Sequence, residues 1–267
     1  GRADAAGAFK HYQAELKEGS TDGVKVGDVA TWDLPGPEVI DGIFHTPACD
    51  DLAALAAAIS AFDVLRRSGT KNDVRVLLTR AEEIGFIGAI ASVKHGTVPR
   101  GARVITLENS RSFDDSPIGG GPIVRVGDRM SIFSPSLTDA VAKRAEAIAG
   151  APSTVTASQK QSELPKWKWQ RKLMAGGACE ATVFCSAGYE ATCVCLPLGN
   201  YHNMADLAAV QAGTNTEKPV VGREFIAVAD YEGLVDLLVA CGLELPKHGG
   251  MNDRLEKLYS ERKFVLE

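Results

Sequence analysis

From residue 46 onward, short apolar runs alternate with longer segments whose apolar residues recur every three or four positions. That alternation is the strongest constraint on the fold, because a period of two suits a strand and a period near 3.6 suits a helix. "DDLAALAAAISAFDVLRR" (50–67) is rich in Ala and Leu at helical spacing, with Asp50 in the N-cap position. "DVRVLLT" (73–79), "RVITLEN" (103–109), "GPIVRVGD" (121–128) and "ATCVCLPL" (191–198) read as buried strands. "EEIGFIGAIASVKHG" (82–96), "SLTDAVAKRAEAIAG" (136–150), "DYEGLVDLLVACG" (230–242) and "GMNDRLEKLYSERK" (250–263) read as helices. Strands interleaved with helices predict an α/β fold: a mixed, largely parallel central sheet with helices on both faces. Residues 1–45 differ. Their short β segments are punctuated by D-G, P-G-P and V-G-D, as in part of a small β-rich domain and its linker, and the main domain is expected over 46–267.

With 45% hydrophobic residues among 267, the chain can bury a sizeable core. Its net charge is −5 and no long block of like charge occurs, which argues against nucleic acid or an anionic membrane as partner. No run of 18 apolar residues is present, and the first residues lack the apolar core of a signal peptide. The six cysteines show no C-x-x-C pair and sit mostly in apolar surroundings, as reduced thiols of a cytoplasmic protein would.

The polar residues fall in a pattern. Asp50 and Asp51 open a helix, Glu82 and Glu83 follow run 73–79, Glu108 ends run 103–109, and His202 follows run 191–198. Ligands of an open α/β sheet bind beyond the carboxyl ends of its strands. If these strands are parallel neighbours, one Asp, the Glu82–Glu83 pair, Glu108 and the His202 imidazole converge at one edge. Like charges in a cleft repel unless a cation holds them, and oxygen with imidazole donors suits zinc, cobalt or manganese. An adjacent carboxylate that is not a ligand can act as a general base. Each residue also has a plainer reading: acidic residues are favoured in a helix's first turn, Asp50–Asp51 could be a cap, and His202 a loop residue.

"ACDDLAALAAAI", "TRAEEIGFIGA", "VITLEN", "GGGPIVRVGD" and "VCLPLGNYHN" occur in that order at fitting spacings. The set resembles the catalytic domain of the dinuclear zinc exopeptidases, in particular the glutamyl/deblocking aminopeptidase family that includes the tetrahedral TET aminopeptidases. "GVKVGDVATWD" (23–33) resembles the end of the β-rich, dimerisation-type domain which that family inserts into its catalytic domain. The resemblance implies a metal-dependent aminopeptidase with two divalent ions, zinc first and cobalt or manganese as alternatives, a peptide substrate and a homo-oligomer. It implies Asp50 as the carboxylate bridging the metals, Glu82 as general base towards the metal-bridging water, Glu83 and His202 as ligands of one metal, and Glu108, one methylene longer than the family's usual Asp, as ligand of the other. Asp51 is then a helix cap or an outer neighbour. The family's first ligand is a His in a His-x-Asp motif, and no His-x-Asp occurs here. A fragment or an incomplete metal site is therefore expected. A deacylase or amidohydrolase on the same scaffold, or an inactive interaction module, is the alternative function.

Glu180 in "GGACEATVF" is a candidate for the substrate's amino group or a helix-start residue. "GGGP" (119–122) reads as a flexible loop at the cleft edge. "KWKWQRK" (166–172) reads as a half-exposed strand or oligomer contact rather than a base-stacking platform. Cys179, without a His partner, reads as a buried thiol.

Overall fold

The computed structural model describes residues 2–4, 11–12, 19–153, 167–246 and 251–266. The chain divides into two units, Gly1–Asp33 and Leu34–Glu267. In the first, strand β1 (Arg2–Asp4) pairs antiparallel with β2 (His11–Tyr12).

The second unit begins with the hairpin β3 (Glu38–Ile40) and β4 (Ile43–Thr46), followed by helices α1 (Leu52–Ser68) and α2 (Ile87–Lys94). Strands β5 (Arg103–Arg111) and β6 (Ile123–Asp128), helix α3 (Pro135–Ala149) and strand β7 (Gln170–Met174) come next. Then follow α4 (Ala181–Ser186), β8 (Glu190–Leu198), α5 (Leu207–Ala212), β9 (Glu224–Ala227), α6 (Val228–Leu243) and α7 (Met251–Arg262). The main sheet has the order β5-β8-β6-β7, with β5 parallel to β8, β6 antiparallel to β8 and β7 parallel to β6. A second, antiparallel sheet has the order β3-β4-β9.

Strand β8 is apolar on both sides because helices cover both faces of the main sheet. Val194, Leu196 and Leu198 share a core with α1, α3 and α6. Cys193 and Cys195 pack with Cys179 and Ala181, and Ala191 with Phe184 of α4 and Ala89 of α2. The six cysteines are free, and all but Cys185 are buried.

Three expectations change. Residues 73–79 form no strand: they are extended, no ladder partner lies beside them among the described residues, and Val76, Leu77 and Leu78 are exposed. An apolar β-branched run matches a strand locally, yet only a neighbour makes it one. The N-cap of helix α1 is Asp51, one residue later than the expected Asp50, and it makes no side-chain capping bond. The triple glycine is pinned rather than loose. The N–H groups of Gly119 and Gly121 donate to the two carboxylate oxygens of buried Asp230, each at 2.8 Å. Gly121 has φ of 90°, and a Cβ there would collide with the Lys168 carbonyl, so only glycine fits. Lys166 lies outside the described residues. Trp167 and Trp169 are buried, Trp169 donating its indole N–H to the Gly150 carbonyl at 2.8 Å, so neither ring can stack on a base.

Removing the pin should be costly. Asp230→Ala strands the N–H donors of Gly119 and of buried Gly121 and is expected to lose about 1–3 kcal/mol in urea unfolding; a loss below about 0.5 kcal/mol would contradict the pin. Burial raises the Asp230 carboxyl to about 6, against the two glycine N–H groups and Lys168. The folded value lies above the unfolded value of about 3.9. Its contribution is therefore fully present below about pH 4 and is lost as pH rises through about 6. The stability difference between the native chain and Asp230→Ala should shrink across that window; a flat difference would contradict the assignment.

Candidate metal centre

The site forms where four chain segments meet beside the carboxyl ends of β5 and β8. Segment 47–51 leads from β4 into α1 and carries Asp50 and Asp51. Its backbone is gripped from below. Buried Glu224 of β9 accepts the N–H of Cys49 at 2.6 Å and of Asp50 at 3.0 Å through one oxygen, Oε2. Buried Asn109 donates its Nδ2 to the Cys49 carbonyl at 2.6 Å.

Glu82 and Glu83 sit in a tight turn, not in a helix's first turn, since α2 begins only at Ile87 with no acidic residue in its opening turn. The plain helix-start reading of the pair therefore fails. Ala81, Gly85 and Phe86 have positive φ, and the Glu82 carbonyl accepts the N–H groups of Gly85 and Phe86 at 2.9 and 2.8 Å. A Cβ at Gly88 would come within 2.5 Å of the Arg80 carbonyl oxygen, so the chain folds back this closely only with glycine there. His202 lies in a 3-10 turn directly after β8, with φ of 56° between Asn200 and Asn203, which also have positive φ. Asn203 donates to the carbonyls of Pro47 and Gly222, tying this turn to the Asp50 segment. The Tyr201 ring stacks on the imidazole at a centroid distance of 3.9 Å.

The structure brings Asp50, Glu83 and His202 together, with one donor atom from each within 4.8 Å of the others, and does the same for Asp50, Asp51 and Glu108. Asp50 belongs to both groups. His202 Nε2 lies 3.6 Å from Asp50 Oδ2. Glu82 belongs to neither group. Glu180, the residue preceding α4, has a buried oxygen, Oε1, without a hydrogen-bond partner, and so has Asp51 at Oδ1.

Crowding shows in the electrostatics. Burial, then Glu83, Glu180 and Asp50, push Glu82 up to about 7, with His202 opposing. Burial and Asp50 raise Glu83, again against His202. Burial, Asp50 and Glu82 push Asp51 up to about 8, and burial with Asp50 and Asp51 raises Glu108 well above the usual carboxylate range. Burial raises Glu180. The Asp50 carboxylate, 3.6 Å from the imidazole, raises His202 despite partial burial. These acids raise one another by proximity and burial, an arrangement that a bound cation would relieve. Cys179 is buried and its thiol is pushed well up, first by its contact with Cys193, so it is no nucleophile.

Asp51 as a member of the second group, and Glu224 and Asn109 beneath Asp50, are not apparent from the sequence. The Asp51 position could have been suspected from its adjacency to Asp50. Nothing local marks Glu224, because it lies 174 residues from Asp50 and reaches it only through the β4–β9 pairing.

The family model for M42 glutamyl aminopeptidases matches residues 11–218. No curated protein sequence matches the chain. Among solved structures, an aminopeptidase from the archaeon Desulfurococcus kamchatkensis is 19% identical with a TM-score of 0.63, covering 85% of this chain and 56% of its own. The Pyrococcus horikoshii TET1 peptidase, which can assemble into a tetrahedron or a large octahedral shell, is 20% identical with a TM-score of 0.58, covering 78% and 53%. A TET aminopeptidase from a marine-sediment Thaumarchaeota archaeon is 18% identical with a TM-score of 0.58, covering 78% and 52%. The chain thus spans about half the length of these structures, and at such identities they speak for the fold. With the family model matched over most of its length, the chain belongs to the M42 glutamyl aminopeptidase family.

Proposed function

We propose that the chain carries the catalytic centre of a metal-dependent aminopeptidase that hydrolyses peptides from a free N-terminus. The observation that carries this reading is the sharing of Asp50 between two donor groups, with an acidic side chain, Glu82, beside them but in neither. The residues fit divalent ions: the donors are carboxylate oxygens and one imidazole, a set suited to zinc, cobalt or manganese, and the unpartnered oxygen of Asp51 points to a charge still to be matched. Asp50, Glu83 and His202 would hold one ion, and Asp50 with Glu108 and Asp51 the other. When bound, two such ions would polarise the scissile carbonyl and lower the pKa of the attacking water.

The chain's own residues supply the rest. Glu82 takes the proton of the attacking water and delivers it to the leaving amine. Glu180, with its free carboxylate oxygen close enough to Glu82 to act on it electrostatically, receives the substrate's ammonium group. A homo-oligomer is the assembly we propose, on the family membership and the assembly of the Pyrococcus peptidase into a tetrahedron or a large octahedral shell. The free cysteines suit a reducing compartment, and no helix among the described residues is long and apolar enough to cross a membrane.

Glu82→Gln should lower kcat on an aminoacyl substrate about 10²–10⁴-fold while leaving KM and metal content nearly unchanged. Retained turnover would remove Glu82 from the mechanism. Asp50→Asn should take bound zinc from about two ions per chain to less than one, because both groups lose a donor. Elemental analysis of the zinc-loaded proteins decides this, and equal zinc in both would contradict the shared-ligand reading.

A further inference from the structure

Asp50 can serve two donor groups only if its carboxylate is held in one direction, and its own side chain cannot fix that. The backbone beneath it is fixed by residues that belong to neither group. Glu224 is 3% exposed and its Oε2 alone accepts two successive N–H groups, those of Cys49 and Asp50. Asn109, 2% exposed, holds the carbonyl of the same Cys49. Glu224 reaches this place because β9 pairs with β4 in a register that sets Glu224 opposite Thr46, three residues before Cys49. A buried carboxylate is costly, and its retention under a backbone turn calls for a use beyond packing. Two N–H bonds to one oxygen leave the peptide planes of Cys49 and Asp50 little freedom to rotate.

We infer that Glu224 is a positioning residue that sets the direction of the Asp50 carboxylate through the Cys49 and Asp50 N–H groups, and so controls cation binding at the shared centre. The inference rests on the metal reading above. It adds that affinity depends on a residue that touches no ligand atom of either group. The required property is one oxygen acceptor at that point, not a negative charge. A glutamine offers such an oxygen; an alanine does not. Aspartate keeps the charge but withdraws the oxygen by one methylene.

The test is a cobalt(II) titration of the metal-free full chain, followed by visible absorption, with thermal unfolding of each metal-free protein as the folding control. Cobalt absorption reports ligand geometry, which a residue needed only for stability would not change. Glu224→Ala should weaken cobalt binding about 10–100-fold and alter the absorption band, while Glu224→Gln should stay within about threefold of the native chain. If Glu224→Ala does not fold, Glu224→Asp decides, and it should weaken binding by about tenfold or more. Native affinity and band shape in folded Glu224→Ala, or in Glu224→Asp should it be the deciding variant, would overturn the inference. So would a Glu224→Gln as weak as Glu224→Ala, which would make charge the cause. No cobalt uptake by the native chain would overturn the metal reading, and this inference with it. Uptake by the native chain with no loss in the variants would overturn the role of Glu224 alone.

Discussion

The repulsion among carboxylates around Asp50 is the constraint on which the rest of this structure turns. The carboxyls of Asp51, Glu82, Glu83 and Glu108 all give up their protons less readily beside it, with one imidazole opposing at Glu82 and Glu83, and burial does the same to Glu180. In a partly buried cleft the effective dielectric is low and such a gathering is unfavourable by several kcal/mol unless charge is matched. A fold tolerates it only with a rigid frame and a reason. The frame is visible at every contributing segment. Glu224 and Asn109 grip the Asp50 backbone, a glycine-dependent turn aims Glu82 and Glu83, and three left-handed residues set His202 under the Tyr201 ring. Each is local backbone cost placed at one spot, as functional sites commonly show.

The sheet explains why these segments meet. Strands β5 and β8 are parallel neighbours, so Glu108 near the end of one and His202 just after the other come to the same edge. Helices α1 and α6 pack together against that sheet and deliver Asp50 and β9 to the adjoining position. Behind Glu108, buried Arg125 of β6 donates to Ser110 at 3.2 Å, placing a cation in the layer beneath the carboxylates. Asp128, at the end of the same strand, accepts the Cys179 N–H and the Thr182 hydroxyl and so fixes the turn that presents Glu180.

Much of this was legible in the sequence because it rests on local periodicity. The runs that became β5, β6 and β8, and the helices α1, α3 and α6, carry their own pattern, and strand ends mark where ligands gather. Strand ends bring out Glu108 and His202 beside the acidic pairs 50–51 and 82–83, whereas the separate roles of Asp50, Glu82 and Glu83 come from the family resemblance alone. Long-range pairing was not legible. Segment 73–79 has a strand's composition but no neighbour, the triple glycine has a loop's composition but is anchored by Asp230, and Glu224 is one acidic residue among many until β9 is paired with β4. For Asp51 the sequence allows a helix cap or an outer neighbour of the site; its side chain makes no capping bond and offers an oxygen beside Asp50 and Glu108.

The central claim is that Asp50 is the shared element of a two-ion centre. Anomalous diffraction at the zinc edge, from crystals grown with zinc, tests it most directly. The account predicts two peaks on either side of the Asp50 carboxylate, one beside Glu83 and His202 and the other beside Asp51 and Glu108. A single peak that leaves Asp50 aside, or density at neither group, would contradict it.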